Sequence, residues 1–406
     1  MRILQINSVC GVGSTGRIAV QISDYLNENN IENYIAYGLR KTDRPNTFKI
    51  GNYFDAHLHS FISRKLCMQG YGSKFTTLRL VRYIKRIKPD IIHLHNIHGH
   101  YLNFKVLFGF LNKTKIQVIW TFHDCWAFTG KCAHYISVGC DKWQTQCKNC
   151  PQLNTYPDSK RDRSKKNYED KKKLFTKNDN LHITTVSEWL KGEAEKSYFN
   201  AKDIRCIYNG INTQVFKYTK STWKEENQIS DKFVVLGVAN DWNSRKGLDD
   251  FMKLSKKLGD DFVIVLVGVT PEQKKCLPQN FIGIEKTNNQ TELAEIYSAA
   301  DVFLNLSLEE TFGLVVGEAM ACGTPAIVYN STACPEILAE GCGYVVEPSN
   351  VDEVLICVNE IKKEGKEKYS SNAVNRINDV FSQQRMVENY YNLYIELDNS
   401  RKEESN

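Results

Sequence analysis

Strand-sized apolar runs alternate with helix-patterned segments along almost the whole chain, and that alternation leaves few architectures open. In the first half, residues 1–7, 34–37, 90–95, 116–122 and 181–186 read as strands. A helix pattern fills residues 14–28, a long helical region ends at Pro89, and Ser187 is placed to cap a helix running to about Tyr198. In the second half the strands are residues 233–238, 262–267, 281–284, 301–306, 325–329 and 343–346. Strands separated by helices pair in parallel, and a parallel sheet must be covered on both faces. The expectation is an α/β chain with two Rossmann-like domains. Residues 216–232 are polar and lack a sustained period, so they read as a linker between domains at 1–215 and 233–382, with a last helix and tail at 383–406. A length of 406 residues agrees with two domains at roughly 100 to 200 residues each.

No stretch approaches the ~20 apolar residues of a membrane-spanning helix. The first residues read as a strand and lack the charged and apolar regions of a signal peptide, so a cytoplasmic location is expected. Lys and Arg number 53 against 47 Asp and Glu, and an excess of +6 spread along the chain does not point to nucleic acid. The thirteen cysteines are odd in number, which fits a disulfide framework poorly; five of them lie between Cys125 and Cys150.

Gly11, Gly13 and Gly16 match G-x-G-x-x-G between a strand and a helix. Glycines let the backbone approach a phosphate, and a helix N-terminus offers unpaired N–H groups. A dinucleotide reading is weak, because residues 37–41 carry no acid for a ribose, and Arg40 with Lys41 would suit only a 2′-phosphate. A tight turn that binds nothing, or a loop touching a phosphate or an acceptor, remain as readings.

The most informative segment is residues 308–325, Leu-Glu-Glu-Thr-Phe-Gly-Leu-Val-Val-Gly-Glu-Ala-Met-Ala-Cys-Gly-Thr-Pro. Glu310 ends a loop after a strand at the sheet's carboxyl edge, where open α/β sheets bind ligands. Glu318 lies about two helical turns further on and could accept hydrogen bonds from a ribose diol. A solvated glutamate is a poor alternative for Glu318, which sits among Val315, Val316, Ala319 and Met320.

This segment resembles the family-4 retaining glycosyltransferases of GT-B fold, whose pattern E-x-F-G-L-x-x-x-E-A-M-A-x-G-T-P it matches almost position for position from Glu310 to Pro325. Asn209-Gly210-Ile211-Asn212 with Phe216, the Tyr297 to Asp301 step, and Pro335-Glu336 are similar to further family motifs. The resemblance implies two domains facing across a cleft and transfer of a sugar from a UDP- or GDP-sugar to an acceptor hydroxyl, with retention and no catalytic cofactor. It implies that Glu310 contacts the donor sugar, that Glu318 holds the ribose, and that the backbone around Phe312, Gly313 and Leu314 approaches sugar and diphosphate. His123, in Thr-Phe-His-Asp, is implied near the anomeric centre, and the glycine loop, Gly13 included, near the diphosphate and acceptor. The family's Gly-Arg is absent; Asn240 and Asp241 stand there, and Arg245 beside Lys246 is expected to supply the second cation. Two cations suit a leaving group that gains charge. No D-x-D occurs.

Cys132, Cys140, Cys147 and Cys150 include one C-x-x-C and resemble a cysteine-bearing insertion in a polysaccharide-assembly subgroup of colanic-acid and capsule type. Structural zinc, thiols and disulfides are the three readings. His93, His95, His98 and His100 point to acceptor-pocket or structural roles in preference to a metal. The basic helix before Pro89 and the basic run at residues 160–177 are solvated faces or a peripheral contact with anionic membrane at its inner face. The expected function is a retaining glycosyltransferase of surface polysaccharide assembly using a saccharide or lipid-linked acceptor. The alternatives are a nucleotide-sugar epimerase of the same architecture and a zinc-bearing ligand-binding protein.

Overall fold

The computed structural model describes residues 1–403. The chain divides into two compact units, the first made of Met1–Ile207 and the segment from Val387, the second of Tyr208–Met386.

The first unit holds a seven-stranded sheet: β1 (Arg2–Asn7), β2 (Glu32–Tyr37), β3 (Thr47–Lys49), β4 (Ile91–Leu94), β5 (Gln117–Phe122), β6 (Leu181–Thr185) and β7 (Ile204–Cys206), in the order β3-β2-β1-β4-β5-β6-β7. All neighbours are parallel. Central strands β4 and β5 are buried along their whole length, as helices on both faces require. The second unit repeats the plan with β8 (Phe233–Val238), β9 (Phe262–Val267), β10 (Phe281–Ile284), β11 (Val302–Asn305), β12 (Ala326–Tyr329) and β13 (Gly343–Val346), in the order β10-β9-β8-β11-β12-β13. Its core is Val235, Ile264, Leu266, Leu304 and Ile327 from the strands, with Phe251, Val358 and Ile361 from the covering helices.

Each sheet reverses its winding at its first strand, between β1 and β4 and between β8 and β11. Loops leaving the carboxyl ends of such a pair run to opposite faces, and the gap they leave is where open α/β sheets take ligands.

Two short strands, β3 and β7, lie outside the sequence expectation. Each has three residues, too few to show a period. Residues 216–232, read as a linker, fall inside the second unit. The last helix, Gln383–Glu403, begins in the second unit and ends in the first. Val387, Tyr390, Leu393, Tyr394 and Leu397 are buried along one stripe of it. The two terminal guanidinium nitrogens of Arg205 reach the Glu396 carboxylate at 2.7 Å, tying that helix to the end of β7.

Candidate functional site

In the second unit, three loops at the carboxyl edge are stitched together. The loop after β8 ends in a turn at Ser244–Lys246, where the Asn243 side chain accepts the Lys246 N–H at 3.2 Å. Gly247 follows with φ of +78°, and a Cβ there would overlap the Leu306 carbonyl oxygen. Only glycine fits this close approach, so the turn lies flat against the end of β11. The Leu308 N–H donates to the Arg245 carbonyl at 2.9 Å, and Glu310 N–H donates to the Thr332 hydroxyl, beyond β12, also at 2.9 Å. The Ser331 hydroxyl donates to the Leu308 carbonyl at 2.6 Å.

This framework sets Lys246 against Glu310, and the ammonium and carboxylate form an ion pair that is largely shielded from water. Arg245, beside it, donates to the Glu309 carbonyl at 3.3 Å. Both cations therefore stand at the β8–β11 switch point. Phe312 is buried against Tyr208 and Phe381, with ring centroids 6.2 and 5.7 Å away. Gly313, at φ of +94°, precedes the helix Leu314–Ala321, so the first N–H groups of that helix open on the same edge. Glu318, within that helix, is buried, and its Oε2 accepts the Tyr297 hydroxyl at 3.1 Å. Burial and this carboxylate push the Tyr297 phenol well above its ordinary range, which keeps it a donor. Thr332 and Asn243 are positioning groups that no motif singled out; both act through local turn geometry, which periodicity does not register.

In the first unit the glycine loop follows β1. Gly11 and Gly13 have φ of +74° and +66°, Gly11 N–H donates to the Gly16 carbonyl at 3.0 Å, and residues 11–14 are exposed. The helix Gly13–Glu28 starts inside this loop.

Across the switch point, the ends of β4 and β5 carry a hydrogen-bonded series. Gln5 donates its amide to the Ala19 carbonyl at 2.9 Å, so its Oε1 must face His95 as an acceptor. His95 Nε2 lies 3.0 Å from that oxygen and therefore holds the proton. Burial holds His95 well below its ordinary pKa, so it is neutral and its Nδ1 is an acceptor. His123 Nε2, 3.1 Å away, must then be the protonated nitrogen of His123. Burial lowers His123 to about 4 despite the raising field of Asp124, so it too is neutral near pH 7. Beneath lie His93 Nδ1 with the Tyr394 hydroxyl at 2.6 Å and His93 Nε2 with Thr121 at 2.7 Å. His98 and Asp124 form a neighbouring pair at 2.7 Å. Burial acts to raise the Asp124 carboxyl, but His98 and the Trp126 N–H outweigh it and bring it to about 2. Gln5 carries no motif, and its part in the series follows only from where β1 sits beside β4.

The cysteines require a correction. Cys132, Cys140, Cys147 and Cys150 do line one small cavity, yet among the described residues no group of three or more His, Cys, Asp or Glu side chains is arranged to hold a metal ion. Hydrogen bonding to Cys150 and burial raise the Cys132 thiol, burial raises Cys147 to about 11, and the hydrogen bond with Cys132 lowers Cys150 to about 6. Cys147 sulfur instead accepts the Gly130 N–H at 3.1 Å. All thirteen cysteines are thiols and none is in a disulfide.

Two parallel α/β sheets with ligand-suited switch points, and cations beside acidic loops at one of them, define a two-domain enzyme of GT-B type. Two family models match in tandem, "Glycosyltransferase Family 4" over residues 15–215 and "Glycosyl transferases group 1" over residues 219–376. The chain belongs to the family 4 glycosyltransferases and is a glycosyltransferase. It is similar to the "Putative colanic acid biosynthesis glycosyl transferase WcaC" of Escherichia coli K12, at 26% identity over 98% of this chain and all of that one. Among solved structures it is similar to sucrose-phosphate synthase of Thermosynechococcus elongatus, with TM-score 0.71, 16% identity, and coverage of 98% and 99% of the two chains. It is also similar to Anabaena HepE in complex with UDP-glucose, with TM-score 0.64, 16% identity, and coverage of 98% and 100%. These likenesses leave the epimerase and zinc-bearing alternatives without support. Among the described residues no helix is long and apolar enough to cross a membrane.

Proposed function

We propose that the protein moves a sugar from a nucleoside-diphosphate sugar, UDP- or GDP-linked, to a hydroxyl of a saccharide or lipid-linked saccharide at the inner membrane face, with retention, in building a surface polysaccharide. The observation that carries this reading is the Lys246–Glu310 pair, held at the β8–β11 switch point beside Arg245 and the N-terminus of the helix Leu314–Ala321. A diphosphate needs positive charge that is already in place as its bond to the sugar breaks. Lys246 and Arg245 would supply it, with the N–H groups after Gly313. In this reading the Glu310 carboxylate occupies the diphosphate's place on Lys246 until the donor arrives. Once the diphosphate takes Lys246, Glu310 is released to accept hydrogen bonds from donor-sugar hydroxyls. Glu318 would hold the ribose diol while Tyr297 fixes its other side. On the first unit, His123 would face the reacting centre and the loop around Gly13 the diphosphate and acceptor. In the reaction an acceptor oxygen bonds the anomeric carbon, the bond to the diphosphate breaks, and the acceptor proton is released.

The relative named for colanic acid biosynthesis supports the polysaccharide part, and the UDP-glucose complex of a similar fold supports the donor class. The test is thermal shift against a panel of UDP- and GDP-sugars, then NMR of the product's anomeric configuration with the donor so chosen. No stabilising donor, or a product of inverted configuration, would overturn the reading.

A further inference from the structure

The helices Tyr53–Leu66 and Lys74–Ile87 carry a surface that the transfer reaction does not explain. Tyr53, Phe54, Leu58, Phe61 and Phe75 are 73%, 82%, 62%, 59% and 84% exposed. Phe54, Leu58, Phe61 and Lys65 recur at intervals of four, three and four residues, which is one face of a helix. The same helix packs inward through His59 and Ser63, so its outward face is the apolar one, the reverse of an ordinary surface helix. The Thr76 hydroxyl donates to Asp55 at 3.2 Å, which brings the first turns of the two helices together, and Phe54 and Phe75 are the residues next to that contact in the chain. Scattered exposed apolar residues are ordinary, but a cluster with three phenylalanines more than half exposed marks an interaction site.

The charge around it points to the partner. Residues 50–88 hold eight Lys and Arg against one acid, Asp55, and that acid is engaged by Thr76. Arg64, Lys65 and Lys74 are exposed next to the aromatics, and the Lys65 ammonium lies 5.8 Å from the centre of the Phe61 ring. The Lys160 N–H donates to the Arg64 carbonyl at 2.8 Å, which brings Lys160 and Arg161 to the same end together with Asp158, whose carboxylate lies 3.6 Å from the Arg64 side chain in an exposed pair, so cations stay in excess there. A second copy of this chain would bring one positive face against another. A bilayer with anionic headgroups satisfies both features, since aromatic side chains enter the headgroup boundary and cations meet lipid phosphates.

We propose that the outward face of the helix Tyr53–Leu66, with Phe75 and the cations Arg64, Lys65 and Lys74, docks the protein on anionic lipid bilayers. This docking deepens the membrane-face part of the proposed function, and its failure is distinguishable from failure of sugar transfer because vesicle binding and transfer to a soluble acceptor are read separately. The experiment is co-sedimentation of the full chain with phosphatidylcholine vesicles, pure or with about a third phosphatidylglycerol. Parent protein should sediment with the anionic vesicles, and release in high salt should follow. The triple variant Phe54→Ser, Phe61→Ser, Phe75→Ser should bind at least roughly tenfold more weakly and keep its melting temperature, the side chains being exposed. A second variant, Arg64→Glu, Lys65→Glu, Lys74→Glu, should lose binding to anionic vesicles as well. Failure of the parent to bind, or equal binding by either variant, overturns the proposal. Self-association of the parent that the serine variant abolishes, without vesicle binding, would overturn it in favour of a second copy.

Discussion

The Nδ1 of His95 lies 3.1 Å from the Nε2 of His123, and the Gln5 amide behind them leaves one assignment of protons: both rings neutral and both protonated at Nε2. A neutral imidazole whose Nε2 proton is held by a neighbour keeps Nδ1 as its acceptor nitrogen. Histidine-selective nitrogen-15 spectra should therefore show His123 as the Nε2–H tautomer at pH 7. His95→Ala should lower transfer and release that preference, whereas loss of activity with the tautomer unchanged would make the contact merely structural.

Buried neutral histidines make stability depend on pH. His59 and His93 are lowered by burial to about 3, His95 lies well below its ordinary value, and His123 is at about 4. The unfolded chain, with ordinary histidines, binds protons first as pH falls from about 6.5, so folded stability declines from there to about 4. Each histidine contributes up to about 1.4 kcal/mol per pH unit across that window. Above pH 7 they contribute no slope. Urea melts at pH 7.5, 6 and 5 should fall in that order, and His93→Gln should flatten the decline; a flat profile in the parent would refute the assignment.

Lys246 and Glu310 should separate binding from chemistry. Lys246→Ala should lower turnover by roughly 100-fold or more if its charge acts on the leaving group. Glu310→Gln frees Lys246 from its competitor, so affinity for the nucleoside diphosphate alone should rise by a few fold while transfer falls. Calorimetric titration reads the first and a product assay the second. Weaker diphosphate binding in Glu310→Gln would mean that the ion pair is not the donor's competitor.

Gly247 has no room for a Cβ against Leu306, and its φ of +78° disfavours any side chain. Gly247→Ala should cost about 2 kcal/mol or more in denaturant melts and displace Lys246 with it. Little change in stability would mean the turn is not held where it lies.

Tyr297 supports Glu318 through one hydroxyl. Tyr297→Phe leaves a buried carboxylate short of a donor and should cost about 1 to 3 kcal/mol. The loss should shrink when Glu318→Gln is added, and a double-mutant cycle measures that coupling directly. Strictly additive losses would show that the two side chains do not act on one another.

Four strands of the second sheet are legible in the sequence to the residue, 233–238, 262–267, 281–284 and 343–346, because parallel strands are short apolar runs bounded by polar turns. The three-residue edges β3 and β7 are not, since pairing with a neighbour, and not local pattern, makes them strands. Glu310 and Glu318 can be picked out from their place after a strand and about two helical turns apart, and Lys246 from the family resemblance. That Lys246 is neutralised by Glu310 cannot, because the contact joins loops 64 residues apart. Nor can the cysteine arrangement be read from its spacing, where a C-x-x-C suggests a metal that the folded side chains do not assemble.

Periodicity and motif spacing thus settle the two α/β halves and the family, because both are properties of neighbouring residues under fixed backbone geometry. Long-range packing settles the rest. It sets which nitrogen of His123 carries the proton, which carboxylate holds Lys246, and where the last helix goes. It also turns the aromatic face of the helix Tyr53–Leu66 outward. Charge pairing, burial and exposure depend on what lies across space from a residue, and a linear pattern carries that only where the fold has already brought the partners together.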